Sequence, residues 1–529
     1  MNPVAEALRH PDAYPHPVEQ DIIVVETHIS WIFLTGTYAY KLKKPVNLGF
    51  LDFSTLDRRR HCCLEELRLN RRLCPELYID VLQVSSSNGN IHIGDDGVPM
   101  DYVVRMVQFD RNFELDRLLG KGELTLRHVE EAASIIAAFH ASAPRADQSS
   151  GFGTPEVLLK PMLENLDLTE QVIRSEAESA DIGKLRNWTI DEALRLDDVI
   201  HLRKAGGMIR ECHGDMHTGN MVIREGKIMI FDCIEFNPEL SVIDVISDTA
   251  FLFMDLQHSA QTRLAWRFLN AYLSESGDYH GLRLLGFYCA YRALVRAKVT
   301  SIRYAQESDE KRKAETLDEH HSYLQLALDY ARPRSPMLLI THGLSGSGKS
   351  TLSSALADLG GFVHIRSDVE RKRLFGIDSM ERSADRGLDI YSAETTQQTY
   401  HALIEAASSA LAGGYTVIVD ATFLKKSRRT TFIVMAEAMR CECRILCFHA
   451  PPEELRKRIV ARNEEGLDAS EADLRVLEMQ MGSNEPPDGD EKTLCVEIDT
   501  QGKVNIESII GLLGSQAQQS RRHAETPKK

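Results

Sequence analysis

The sequence predicts two domains of different class: a small sheet-rich lobe joined to a larger helical lobe (α+β), then from residue 337 a doubly wound α/β unit built on a parallel sheet. Three observations carry this expectation. Strand-like runs at 22–25, 31–34, 38–42 and 102–107 cluster before residue 110, whereas amphipathic helical spacing dominates from about 127 to 330. Beyond 336 the pattern alternates, with 337–341, 361–365, 415–419, 444–448 and 495–498 reading as strands and 395–411 and 452–462 among the intervening helices. Between the first of those strands and the helical stretch 352–359 stands Gly343-Leu-Ser-Gly-Ser-Gly348-Lys349-Ser350, a match to G-x-x-x-x-G-K-[ST].

That context, strand before and helix after, makes the string a phosphate-binding loop. Backbone N–H groups of Gly343, Ser345, Gly346, Ser347 and Gly348, with the helix start at Ser350 and Thr351, can cradle phosphates. Lys349 can reach the terminal phosphates and the Ser350 hydroxyl can ligate Mg²⁺, so ATP and Mg²⁺ are the expected cofactors. In a doubly wound sheet the residues after strands two and three face this loop. Asp368 there is a candidate general base for a substrate hydroxyl, Arg371 or Arg373 a candidate anchor for an anionic acceptor, and Asp420 a candidate for ordering Mg²⁺ through water. Arg458 and Arg462, at i and i+4 on one helix face, can close over a triphosphate and stabilise charge developing in the transition state. The bland readings are helix caps for the two aspartates and solvated faces for the arginines.

A second constellation lies in the helical lobe: His213-Gly-Asp215-Met-His217-Thr-Gly-Asn220, then the apolar run 227–231 ending at Asp232. The spacing suits a kinase catalytic loop, in which Asp215 orients or accepts the proton of a substrate hydroxyl while Asn220 and Asp232 hold metal ions. The alternative is a polar turn. This string, continued by IMIFDCIEFN, closely resembles the aminoglycoside phosphotransferase and choline kinase group, whose fold is similar to that of protein kinases. The resemblance implies that Asp215 is the catalytic aspartate, that Asn220 and Asp232 are Mg²⁺ ligands, and that His213 shapes the loop; His217 stands near the substrate or braces the loop. It also implies a small-lobe lysine held by a helix glutamate. Lys41 fits best, with Lys43 one pleat away on the same face, and Glu66 is the favoured partner, with Glu65 close behind. The glycine-rich loop of protein kinases is missing; only Gly36 lies in the turn concerned.

Residues 337–500 resemble the P-loop kinases grouped with polynucleotide kinase, zeta-type toxins, gluconate kinase and antibiotic phosphotransferases. The whole chain looks like bacterial proteins described as bifunctional aminoglycoside phosphotransferase and ATP-binding protein. The expected organisation is a kinase-like domain at 1–330 (small lobe about 20–110, helical lobe about 111–330), a two-proline linker at 331–336, the P-loop domain at 337–514, and a polar, disordered tail at 515–529.

The formal net charge of −16 argues against indiscriminate binding to nucleic acid or anionic membrane. The ten cysteines form no CxxC pair and read as reduced, buried thiols rather than metal ligands. The N-terminus shows no signal-peptide pattern, and the most apolar long stretch, 242–256, carries Asp244, Asp248 and Asp255, which excludes an ordinary membrane span; a cytoplasmic protein is expected. The expected activity is transfer of a γ-phosphoryl group from ATP to small-molecule hydroxyl acceptors at two sites. Aminoglycosides are not the favoured acceptor, because nothing shows that Glu235 and Glu239 line an acidic pocket. A regulatory ATP-binding module and, for the C-terminal domain, a nucleic-acid 5′-hydroxyl kinase are the alternatives, the latter suggested by Arg371 to Arg373 and weakened by the acidic balance. The acceptor and the oligomeric state are left open.

Overall fold

The computed structural model describes residues 2–18, 21–49, 51–172, 175–388, 390–465 and 468–514. The tail 515–529, expected to be disordered, lies outside the described residues. Two compact units result: Met1–Glu131, Ala138–Glu164 and Asp197–Asp255 form one, and Ala132–Ala137, Asn165–Leu196 and Leu256–Lys529 the other.

The first unit holds a six-stranded antiparallel sheet in the order β1-β2-β3-β6-β4-β5, from β1 (Ile23–Glu26), β2 (Ser30–Leu34), β3 (Tyr38–Lys43), β4 (Tyr78–Ser87), β5 (Asn90–Ile93) and β6 (Val98–Val107). Strands β4 and β5 were not expected. They form a hairpin around Asn88-Gly89, both at positive φ (52° and 83°), the two-residue turn whose twist matches that of the paired strands. The helix Leu56–Asn70, capped by the Thr55 hydroxyl, covers this sheet through Cys63 and Leu67, which meet Leu77, Tyr78 and Val104. Further along, β7 (Ile209–Glu211) pairs with β10 (Val242–Asp244), and β8 (Met221–Arg224) with β9 (Lys227–Ile230). The loop carrying His213 to Asn220 is thereby pinned at both ends by strands.

The second unit contains a parallel five-stranded sheet in the order β12-β13-β11-β14-β15, from β11 (Met337–His342), β12 (Val363–Arg366), β13 (Val417–Asp420), β14 (Glu442–His449) and β15 (Cys495–Asp499). One of its faces, with Leu339, Ile418, Leu446 and Val496, packs on Leu356 and Ala357 of the helix Lys349–Gly360. The same unit takes in the helices Thr262–Ser276, Leu282–Gln306 and Glu310–Tyr330, so segment 331–336, expected as a linker, lies inside it. The cause is specific polar packing. Arg267 grips the buried Asp358 with Nε (3.0 and 3.1 Å) and Nη2 (2.5 Å), Asn270 donates to the Phe362 carbonyl at 3.0 Å and accepts from the His364 N–H at 2.8 Å, and the Tyr279 hydroxyl donates to Glu370 at 3.1 Å. Among the described residues no helix is long and apolar enough to cross a membrane. None of the ten cysteines is in a disulfide, and eight of them are buried.

Candidate active sites

In the first unit, β3 and the helix Leu56–Asn70 bring two lysines onto one buried carboxylate. Lys41 Nζ lies 2.8 Å from Glu66 Oε1 and 2.5 Å from Asp232 Oδ1, while Lys43 Nζ lies 2.6 Å from Glu66 Oε2 and also meets Glu235. Both lysines therefore pair with Glu66; Glu65 points outward to Arg68 at 2.7 Å. Burial works against ionisation of Glu66, but the two ammonium groups outweigh it and hold its carboxyl well below the usual range. Glu235 is spent on Lys43, and Glu239 is an exposed residue 3.5 Å from Lys160, so the two do not make an acidic pocket.

Asp215 and Asn220 come together, and Asp232 meets Lys41. Asn220 Nδ2 donates to the Asp215 carbonyl at 2.9 Å and to Asp215 Oδ2 at 3.1 Å. Asp232 adopts φ 68°, a backbone conformation rare for a non-glycine residue, with its N–H donating to the Tyr78 hydroxyl at 3.2 Å. His213 is fully buried, and burial lowers its pKa. The neutral ring accepts the Asp215 N–H at Nδ1 (3.2 Å) and its Nε2 bonds the Phe231 carbonyl at 2.9 Å, which makes it the loop-shaping residue that was expected. His217 likewise braces the turn by accepting the Gly219 N–H at 3.1 Å, with Nε2 3.5 Å from Asp215 Oδ2. Gly214, at φ +88°, has no room for a side chain: a Cβ would lie 2.7 Å from the Leu240 carbonyl oxygen.

Two supporting residues escaped the sequence reading. Asp248, wholly buried on the helix Val245–His258, accepts the N–H groups of His213 (2.8 Å) and Gly214 (2.9 Å), and Asp255, two turns on, accepts the Thr218 N–H (2.9 Å) and hydroxyl (2.6 Å). Their signal was two carboxylates seven residues apart in the most apolar stretch of the chain, which is one helix face. A buried carboxylate there needs donors, and the loop amides supply them.

In the second unit a cavity of about 860 Å³ opens at the carboxyl ends of the parallel strands. It is lined by the expected Ser345, Gly346, Gly348, Lys349, Ser350, Thr351, Asp368, Asp420, Arg458 and Arg462. Gly343 and Ser347 lie behind the wall and shape the loop: the Gly343 N–H donates to the Thr422 carbonyl at 3.2 Å and the Ser347 N–H to the Leu344 carbonyl at 3.2 Å. Gly346 runs at φ +81°, and a Cβ on it would lie 2.7 Å from the Leu455 carbonyl oxygen. Lys349 folds back onto the Leu344 carbonyl at 2.8 Å, and burial lowers its pKa to about 8. Burial also opposes ionisation of Asp420, but the His364 ring 3.3 Å away, with Arg366 and Lys349, holds the carboxyl below its ordinary value.

The arginines divide by partner. Arg458 is committed as a strut, to Glu454 at 2.8 Å and to the Thr500 carbonyl and hydroxyl at 2.8 and 3.1 Å, rather than standing free over the cavity. Arg462 donates Nη2 to the Ala472 carbonyl at 2.6 Å and keeps a buried Nε without a partner. Arg373 turns away to the Ser274 (2.5 Å) and Glu275 (3.0 Å) carbonyls, which leaves Arg371 as the basic residue of that helix in the cavity. Sequence reasoning missed Arg428, Arg366 with its partner Asp468 (3.0 Å), and Gln480, whose Oε1 accepts the Ser345 N–H at 2.8 Å. Nothing local marks these residues, because each reaches the cavity from a different element.

The donor set fits a polyphosphate with a hard divalent cation: open loop amides, a buried lysine, orphaned guanidinium N–H groups, and hydroxyl and carboxylate oxygens from Ser350, Asp368 and Asp420. Asp215, Asn220 and Asp232 offer the same class of oxygen in the first unit.

Residues 115–285 match the Phosphotransferase enzyme family and residues 338–487 match an AAA domain family. Proteins of Mycobacterium tuberculosis and Mycobacterium bovis, both described as uncharacterized, are 31% identical over 419 residues, covering 78% of this chain and 80% of theirs. Among solved structures, a gluconokinase from Sinorhizobium meliloti is similar at 20% identity and a TM-score of 0.28, over 37% of this chain and 99% of that one. A choline/ethanolamine kinase family protein from Mesorhizobium loti is similar at 12% identity and a TM-score of 0.37, over 62% of this chain and 98% of that one. With a phosphotransferase-family domain and a P-loop kinase domain in one polypeptide, the chain belongs to the same family as the two mycobacterial proteins.

Proposed function

We propose that this protein is an ATP- and Mg²⁺-dependent phosphotransferase with two nucleotide sites, each moving a γ-phosphoryl group to a hydroxyl of a small molecule in the cytoplasm. The residues responsible are taken to lie within 1–330 for one reaction and within 337–514 for the other. The observation that carries the reading is Asp368: it lines the cavity that holds the phosphate loop and Lys349, and it forms no ion pair among the described residues although several arginines share that cavity. A nucleotide store or switch has no use for an unpaired carboxylate there, whereas a kinase needs one to take the acceptor's proton.

In the second unit, the loop amides and Lys349 bind and orient the phosphates, Arg462 neutralises charge on them, and Asp368 receives the proton of the attacking hydroxyl. Ser350 and Asp420 would hold Mg²⁺, which supplies charge neutralisation on the phosphates when bound. In the first unit Lys41, fixed by Glu66, orients the nucleotide, Asn220 and Asp232 would hold the metal, and Asp215 takes the acceptor's proton. The test follows label from γ-labelled ATP into a metabolite extract with wild type, Asp215→Ala and Lys349→Ala. Two sets of labelled products, each lost in one variant, are expected; nucleotide binding with no label on any metabolite would overturn the reading in favour of a regulatory module.

A further inference from the structure

We propose that the P-loop cavity contains an acceptor subsite for an anionic hydroxy compound, a small alcohol bearing a carboxylate or a phosphate, clamped by Arg371 and Arg428. This rests on the reading of that cavity as a kinase site and names the chemistry of its acceptor.

The strand order separates the two flanks of the cavity. The phosphate loop follows β11; β14 lies on one side of it, and β13 then β12 on the other. Arg458 and Arg462 come from the helix Pro452–Glu465 after β14, whereas Arg371 and Arg428 come from the helices Ser367–Leu374 and Lys426–Ala438 after β12 and β13. The second flank also carries Asp368, one helical turn before Arg371 and so on the same helix face. The proton acceptor and a guanidinium therefore address one molecule from adjacent turns.

Of the arginines lining the cavity, these two on the second flank, with Arg462 on the phosphate flank, depart from the local habit. In the same unit Arg366, Arg373, Arg386, Arg429, Arg456 and Arg458 each pair with a carboxylate. Arg371 and Arg428 have no carboxylate partner among the described residues. Arg371 is buried at 8% exposure, and donates Nη1 to the Ile390 carbonyl at 3.1 Å and to the Thr396 hydroxyl at 3.3 Å; its buried Nε has no partner. Its guanidinium lies 5.0 Å from the Tyr391 ring centroid, and that of Arg428 lies 4.6 Å from Tyr400. Aromatic faces hold the guanidinium planes in place without neutralising them. A guanidinium withdrawn from water with an unmade hydrogen bond is expensive, and an oxyanion that accepts from it removes the cost. The cavity of about 860 Å³ falls in the small-ligand range of roughly 300–1,000 Å³ and is shared with the nucleotide, which suits a short acceptor rather than a polymer.

The test is calorimetry on the full chain in the presence of a non-hydrolysable ATP analogue, with three five-carbon probes that share the polyol chain and end in a hydroxymethyl, a carboxylate or a phosphomonoester: ribitol, ribonate and ribitol 5-phosphate. At least one anion is expected to bind more tightly than ribitol by about ten-fold or more, and which one wins separates carboxylate from phosphate recognition. Arg428→Gln, at a partly exposed position, is expected to erase the preference with the affinity for the analogue kept within about two-fold; Arg371→Gln should do the same. Equal or absent binding of all three probes, a preference that survives both variants, or tighter binding of a single-stranded oligonucleotide would each overturn the subsite. Anion-selective binding with no transfer of label from ATP would keep the subsite and sink the kinase reading, while transfer to ribitol as efficient as to the anions would do the reverse.

Discussion

Lys349 offers the most quantitative test, because its environment is costly until phosphate arrives. Without nucleotide it is buried against the Leu344 carbonyl, and burial, opposed by Asp420 and Asp368 and assisted by Arg462, takes it from 10.5 to about 8. That difference corresponds to roughly 3 kcal/mol against the nucleotide-free fold at neutral pH. The unfolded chain holds the extra proton between pH 8 and 10.5, so the cost is complete below 8 and declines as pH rises through that window. Lys349→Met is therefore expected to abolish nucleotide binding at this site yet raise the stability of the nucleotide-free protein by about 1–3 kcal/mol, the lower end allowing for the lost hydrogen bond. A bound triphosphate requires the ammonium form, so binding takes up a proton above pH 8 and the dissociation constant should rise about ten-fold between pH 7 and 9. Calorimetric unfolding scans and titrations with a non-hydrolysable ATP analogue, with Lys349→Met run alongside as the reference that isolates the P-loop site, measure both. A dissociation constant flat from pH 7 to 9.5, or a Lys349→Met protein less stable than wild type without nucleotide, would refute the argument.

Asp248→Ala should strip the catalytic loop of the acceptor for two buried N–H groups, at about 1–3 kcal/mol each, and remove Asp215-dependent transfer while Lys349-dependent transfer continues; Asp248→Asn, which retains one acceptor, should fall between, as read by unfolding and labelled-product assays. Lys43→Met leaves Glu235 buried without its ammonium and should cost about 3–5 kcal/mol, whereas Glu65→Gln, which alters only an exposed pair, should stay within about 0.5 kcal/mol; denaturant melts of the two variants side by side check the difference.

What could be read in the sequence was what is local. The phosphate loop, its flanking strand and helix, and the run from His213 to Asn220 are contiguous strings whose spacing itself encodes the geometry. Asp368 and Asp420 followed from a topological rule, since each comes just after, or at the end of, a parallel strand. The β4–β5 hairpin was legible in Asn88-Gly89 but went unread, because the ten-residue β4 mixes aliphatic, acidic and serine positions without clean alternation. Choosing between Lys41 and Lys43 was impossible from spacing, since residues two apart on a strand share a face, and the structure uses both on Glu66. Asp248 and Asp255 were read only as charges that forbid a membrane span. Their role depends on which amides meet that helix, and that is a tertiary fact.

The hardest feature to foresee was that the helices after residue 256 belong with the P-loop sheet, and a single short helix shows what this does to the site. In Ser367–Leu374, Asp368 and Arg371 face the cavity, while Glu370 and Arg373 are tied to the end of the helix Thr262–Ser276: Tyr279 donates to Glu370, and Arg373 donates to the carbonyls of Ser274 and Glu275. The helical repeat makes this division possible, because the two pairs fall on opposite sides. The position of the proposed base is thus set partly by residues of the helical lobe that touch no substrate. Gly277→Ala tests this directly. Gly277 has φ +70°, and a Cβ there would lie 2.9 Å from Arg373 Nε and 3.0 Å from its Cδ, so the substitution strains the backbone by about 1 kcal/mol and pushes the guanidinium off its carbonyls. Affinity for the ATP analogue should stay within about two-fold, because the phosphate loop is carried by β11, while the KM for the acceptor of this site should rise by about ten-fold. Unchanged acceptor kinetics in a protein that is measurably destabilised would show that the helix holds Asp368 and Arg371 in place without its anchor, and would cut the link between the helical lobe and the P-loop site.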